Sequence, residues 1–210
     1  MSLIDERGKS VITELEIRSA NTGDTLRMDE AAILTPLAQD LVRERGIQVE
    51  RVRRRSAARK KKIALGADHG GFEMKEALKR VLGDLGHDFQ DFGTHSTEAV
   101  DYPDFAHTVA RAVASGNCDL GIMIDGAGIG SCMVANKVPG VRAAMCYDEA
   151  SARNSREHNG ANLLTLGGKI PTDLMRAIVT TWLATELTED RHRRRVDKID
   201  AVGREYTGEK

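Results

Sequence analysis

The sequence predicts an α/β protein in which helices cover both faces of a parallel sheet, preceded by a small N-terminal extension. From residue 62 onward, short apolar runs alternate with segments of helical periodicity, the pattern of parallel strands joined by helical crossovers. Aromatic residues make up 4% of the 210 residues while hydrophobic residues reach 40%, so the core rests on Ala, Val, Ile, Leu and Met, the palette of buried parallel strands. The run RVRRRSAARKKK, residues 51–62, holds eight basic residues and no acidic one, and it divides the chain into segments of about 50 and about 150 residues. It reads as a solvated linker.

Residues 1–50 form the extension. Within it 10–18 (SVITELEIR) alternates like a half-exposed strand. A short helix over 36–45 follows, with Thr35 as N-cap, Pro36 at the first helical position and Gly46 at the stop. Leu37, Leu41 and Val42 share one face of that helix, and a helix so short depends on a partner surface.

The second segment, 63–210, opens with a strand ending at Asp68 (KIALGAD) and a helix over 71–85 through Phe72, Leu78, Val81 and Leu82. A strand at 87–93 and a helix at 103–115 lead to the buried-type strand DLGIMID, 119–125. The glycine cluster GAGIG comes next, with a helix from about residue 130. Strands at 141–146 and 162–167 alternate with helices at 148–157 and 171–186, and a charged helix runs over 189–204. Ligands of such sheets bind at the carboxyl ends of the strands.

Composition excludes several classes. Lys and Arg number 31 against 32 Asp and Glu, and the basic run has no interleaved aromatics for stacking, which argues against a nucleic-acid protein. No apolar run approaches the roughly 20 residues that span a bilayer. The start, MSLIDERGKS, has no secretory pattern, and Cys118, Cys132 and Cys146 are odd in number without CxxC spacing. Reduced thiols in a cytoplasmic compartment are expected.

Four places carry chemistry. Asp68, His69, Gly70 and Gly71 end the first strand; Asp68 either caps the next helix or faces a ligand. Asp125 ends the central strand before Gly126, Ala127, Gly128, Ile129 and Gly130, whose N–H groups suit a phosphate or an oxyanion. Spacing alone leaves Asp125 as a helix cap or as a base beside that oxyanion site. His158 and Asn159 form a polar pair at a helix end, where a histidine also suits the helix dipole. Arg191 and Arg195, four apart, share a helical face and could clamp a phosphate or carboxylate.

The ordered motifs GADHGGFEMK, DYPDFA, GIMIDGAGIGSCMVANKVPGVRAAMCYD, REHNGANLLTLGGK and RHRRRV resemble the type B ribose-5-phosphate isomerases, a family that also holds galactose-6-phosphate and allose-6-phosphate isomerases. The resemblance spans 62–206. It implies a three-layer αβα Rossmann-like domain, a homodimer or dimer of dimers with active sites at the interface, and neither metal nor nucleotide. By the same resemblance Asp68, His69 and Tyr102 line the sugar, His158 opens the ring beside Asn159, and the backbone from Gly126 to Gly130 holds the enediolate. Arg191 and Arg195, with His192, hold the phosphate.

The chain departs from the pattern at four positions. Asp125 stands where many members carry a cysteine base, Ser131 where others carry a glutamate, Ala127 where a hydroxyl residue is frequent, and Lys169 where arginine is common. The expected mechanism therefore uses Asp125 to move the proton between C2 and C1 after His158 assists ring opening. Other sugar phosphates, or binding without catalysis, are the alternatives. The run TPLAQDLVRERGI resembles segments on enzymes of bacterial microcompartments, which implies docking through residues 29–46 to a shell or an enzyme core.

Overall fold

In the computed structural model, which describes residues 2–6, 9–30, 32–52 and 60–207, the alternation after residue 62 resolves into five parallel strands and six helices. The chain divides into two units, 1–57 and 58–210. Of the expected linker, residues 53–59 lie outside the described residues. Arg51 and Val52 end the last strand of the first unit, and Lys62 begins the first strand of the second.

The first unit has a core of its own. Strands β1 (Leu3–Asp5), β3 (Thr25–Asp29) and β5 (Gln48–Val52) form one parallel sheet, and β2 (Val11–Ile12) and β4 (Ile33–Leu34) form another. Ile12, Ile17, Leu26, Met28 and Ala38 are fully buried. The strand expected over 10–18 stops at Ile12, because Thr13 and Glu16 make a capping box that starts α1 (Glu14–Ile17). Glu16 accepts from the Thr13 amide at 2.8 Å and from its hydroxyl at 2.6 Å. Helix α2 (Pro36–Glu44) begins as expected at Thr35, whose Oγ1 accepts from Ala38 N–H at 3.3 Å. It turns Ala38, Leu41 and Val42 into this unit's core, whereas Leu37, expected on that face, is exposed.

The second unit is the three-layer αβα sandwich. Its strands β6 (Lys62–Ala67), β7 (Asp88–Asp91), β8 (Leu120–Asp125), β9 (Ala143–Met145) and β10 (Leu163–Gly167) lie in the order β7-β6-β8-β10-β9, all parallel. Helices α3 (Phe72–Asp84), α6 (Glu149–Glu157) and α7 (Thr172–Ala184) cover one face, where Leu65, Leu78, Ile122, Leu164, Ile178 and Trp182 are fully buried. Helices α4 (Tyr102–Ala114) and α5 (Ile129–Ala135) cover the other, over Val109, Met123 and Leu163. Each such side chain contributes about 1.5–3 kcal/mol when fully buried. The last helix, α8 (Asp190–Thr207), is tied down by Arg142, which donates to Asp200 at 2.9 Å and to the Gly160 carbonyl at 3.0 Å.

Between β6 and β8 the strand order reverses, since the chain leaves β6 for β7 on one side and returns as β8 on the other. That reversal opens a crevice at the carboxyl ends of both strands.

Candidate active site

Asp68 follows β6 into the crevice and is buried. Its Oδ1 accepts from Gly71 N–H at 3.0 Å, so it does cap the turn into α3, but with one oxygen only. Burial foremost, and then the charge of Asp125, push its carboxyl above the usual range, against the pull of the Gly71 amide. His69 turns outward and its Nδ1 lies 3.2 Å from the backbone of Val100.

Asp125, buried at the end of β8, spends both oxygens on the loop that follows. Oδ1 accepts from Ala127 N–H at 2.8 Å and from Gly128 N–H, and Oδ2 accepts from Ser131 N–H at 2.9 Å. Burial raises its carboxyl, but the donors of Ser131, Gly128 and Ala127 outweigh this and hold it below the ordinary range. The loop amides expected to face an oxyanion are thus divided: those of Ala127 and Gly128 serve Asp125, whereas Gly126, Ile129 and Gly130 donate to no acceptor among the described residues. A Cβ on Gly126 would meet nothing within 4 Å, so its backbone is open to a ligand.

Close backbone approach shapes this edge. A Cβ on Gly130 would stand 2.5 Å from the ring of Tyr102 at the start of α4, whose phenol end therefore lies directly against the Gly130 backbone. A Cβ on Gly168 would strike the Gly70 carbonyl, which brings the turn after β10 against the turn after β6. Lys169 follows Gly168 and is exposed at the same edge.

The remaining expected residues gather elsewhere. His158 caps the C-terminus of α6, and its ring stacks on His192 of α8 with centroids 4.2 Å apart. Asn159 Nδ2 donates to Asn154 Oδ1 at 3.2 Å, which turns the Asn154 amide nitrogen toward His158 Nδ1 at 2.9 Å. An amide nitrogen only donates, so His158 Nδ1 is the acceptor in this contact. His192 is buried, and neither ring nitrogen has a hydrogen-bond partner among the described residues. Burial first, then His158 and Arg191, lower its basicity, against the pull of Glu189, whose carboxylate lies 3.7 Å from Nε2. Arg191 donates to Glu189, and Arg195, one turn on, is exposed.

These two groups lie at opposite edges of the sheet. Asp125 ends β8 and is in register with Gly167, whereas His158 precedes Leu163, where β10 begins. Four residue steps of strand separate Leu163 from Gly167, about 13 Å. One copy of the chain therefore does not bring His158, Arg191 and Arg195 to Asp68 and Asp125.

Sequence reasoning missed three contributors. Asn154 orients His158, Arg142 fixes α8, and Asp91 at the end of β7 holds the fully buried Lys75 at 2.5 Å and Lys79 at 2.7 Å. Asn154 sits four residues before His158, a spacing that places both on one helical face. Nothing in the local sequence marks Arg142 or Asp91, because their partners are 58 and 16 residues away. Among the described residues no group of three or more His, Cys, Asp or Glu is arranged to hold a metal, and no helix is long and apolar enough to cross a membrane.

Residues 63–199 match the model of the family described as Ribose/Galactose Isomerase. The chain is 43% identical over 143 residues to ribose-5-phosphate isomerase B of Escherichia coli, covering 68% of this chain and 96% of that protein. It is 38% identical over 139 residues to the D-erythrulose-4-phosphate isomerase of Pectobacterium atrosepticum, covering 65% and 91%. Among solved structures, ribose-5-phosphate isomerase B of Clostridium thermocellum superposes with a TM-score of 0.67 at 50% identity, covering 69% of this chain and 99% of that one.

Proposed function

The chain belongs to the ribose/galactose isomerase family and is a sugar-phosphate isomerase; we propose that it interconverts ribose 5-phosphate and ribulose 5-phosphate through a cis-enediolate, in a site built from two copies of the chain. The observation that carries this reading is the pair of buried carboxylates, Asp68 and Asp125, on neighbouring strand ends beside the open backbone of Gly126. Isomerisation moves a hydrogen within one molecule, so the balance calls for no external redox group.

In this reading His158, protonated on Nε2, opens the furanose ring with Asn159 beside it. Arg191 and Arg195 hold the phosphate over the buried His192. Tyr102, His69 and Lys169 line the sugar, and the uncommitted amides of Gly126, Ile129 and Gly130 meet the negative oxygen of the intermediate. A second copy supplies the His158 group to the Asp68 group. Ile129 and Met133, one turn apart on α5, are 50% and 64% exposed next to the loop, an apolar surface suited to that second copy.

Deuterated water tests the reaction. Ribose 5-phosphate should yield ribulose 5-phosphate carrying deuterium at C1, and the aldose that returns from the enediolate should carry deuterium at C2. Turnover of erythrulose 4-phosphate or a six-carbon phosphate in its place would change the substrate, and binding without exchange would replace catalysis altogether.

For the first unit, docking in a microcompartment is supported by the resemblance of residues 35–47 and by its outward apolar side. Val11 and Ile33 pair in register, and both are exposed, as is Leu37. The three thiols, free in this structure, fit a reducing cytoplasm. Deleting residues 1–57 should leave isomerase turnover intact and release the enzyme from the particle; unchanged co-purification with shell proteins would end the docking reading.

A further inference from the structure

The isomerase reading needs a base that takes the C2 proton, and position in the sequence pattern points to Asp125. Geometry divides the two carboxylates differently. Both oxygens of Asp125 accept from backbone amides of one loop, at 2.8 Å from Ala127, from Gly128, and at 2.9 Å from Ser131. A carboxylate bound on both sides by donors is stabilised as an anion and gives little driving force for taking a proton. Asp68, on the adjacent strand end, has one direct hydrogen bond among the described residues, from Gly71 to Oδ1. Its turn lies against the open glycine loop, where a Cβ on Gly70 would stand 3.3 Å from Gly126.

We infer that Asp68 is the catalytic base that moves the proton between C2 and C1, and that Asp125 is a positioning residue that fixes the Gly126–Gly130 loop as an anionic anchor. The inference rests on the isomerase reading and divides labour within it. The shifts of the two groups agree in direction. Burial and the neighbouring charge of Asp125 raise Asp68, with His69 and the amides of Gly71 and Gly70 opposing, whereas the loop donors lower Asp125. Two carboxylates pushed apart in this way sort into a base and a permanently ionised partner.

The step balances. Asp68 takes the proton from C2, the C2–H electron pair becomes the C1=C2 bond, and the carbonyl pair moves onto O1. The hydroxyl proton of O2 passes to O1. The O2 lone pair then forms the C2 carbonyl while the C1=C2 pair takes the proton back from Asp68 to make the C1–H bond. Asp68 ends ionised, as it began.

The test compares Asp68→Asn, Asp68→Glu and Asp125→Asn in the full-length protein, reading ketose formation, deuterium entry at C2 and the pH profile of kcat/KM with ribose 5-phosphate. Asp68→Asn should lower kcat ~10³-fold with little change in KM and abolish C2 exchange, and Asp68→Glu should recover part of it. Asp125→Asn should melt at lower temperature and slow C2 exchange far less than Asp68→Asn does. Its acid limb should move to lower pH, because the charge that raises Asp68 is gone. The carboxyl carbon resonances, followed against pH, give the same order without turnover: Asp68 titrates above Asp125. A folded Asp125→Asn without exchange, or an Asp68→Asn that still exchanges, would overturn the assignment. Wild-type protein inert toward ribose 5-phosphate would instead fault the substrate reading, and the titration order would still decide which carboxylate is the proton carrier's match.

Discussion

The two polar regions of the isomerase unit are built on opposite principles. At the carboxyl edge of the sheet, Asp68 and Asp125 are buried and already held by backbone amides, and the loop around them is pinned by Tyr102 on Gly130. At the corner of α6 and α8, Arg195 is exposed, Arg191 donates to the neighbouring Glu189, and the ring nitrogens of the buried His192 have no hydrogen-bond partner among the described residues. In the proposed reading the first region is preorganised for proton transfer in a site of low dielectric. In the same reading the second is a set of donors that becomes satisfied when an anion arrives. Rigidity belongs with the chemistry and unfilled bonding capacity with the binding.

Substitutions should separate the regions by what they change. The largest effect is expected at His158→Ala, which in the proposed reading removes the ring-opening proton and should lower turnover of the furanose form ~10³-fold, read as steady-state kcat. Asp91→Ala comes next and acts on stability, since it leaves the buried Lys75 with the half-exposed Glu76 as its remaining carboxylate, at 3.1 Å, and weakens the frame of the carboxyl edge. About 3 kcal/mol of unfolding free energy should be lost in denaturant titration, while the double change with Lys75→Met should recover most of it. Arg195→Ala should raise KM by roughly tenfold or more and leave kcat nearly as it was, because in the proposed reading it touches the phosphate and not the reacting carbons. An unchanged KM would remove Arg195 from the binding side of the comparison.

The smallest effect is a pH dependence at the corner. Burial, with His158 and Arg191 nearby, lowers the basicity of His192, so the unfolded chain binds the proton first as pH falls. The stability contribution of its neutral form is complete above the unfolded value near 6.5 and declines below it. Thermal melts from pH 7 to pH 5 should show that decline, and His192→Phe, which keeps the stack, should flatten it.

Much of this arrangement is legible in the sequence, because local rules fix it. Thr35, Pro36 and Gly46 mark one helix, and the strand ends at Asp68 and Asp125 announce the crevice through the glycines behind them. The strand expected over 10–18 fails for a local reason as well: Thr13 and Glu16 are three apart, and their reciprocal bonds outweigh the alternation. What pattern reading cannot reach is contact over distance. Arg142 meets Asp200, Lys75 meets Asp91, and Asp125 folds back on the amides of its own loop, a choice between cap and base that spacing leaves open. The separation of His158 from Asp125 is likewise a property of sheet direction, since a helix after β9 must return to the edge where β10 starts.

The claim that one site joins the two regions across two copies is tested most directly by mixing two inactive chains. Asp68→Asn and His158→Ala, co-refolded in equal amounts, should pair at random; in half of the dimers one site then carries both substitutions and the other none. About a quarter of the wild-type activity should return. Activity no greater than that of the two variants measured separately, with mixed dimers present, would show that each site is made within a single chain and would contradict the account.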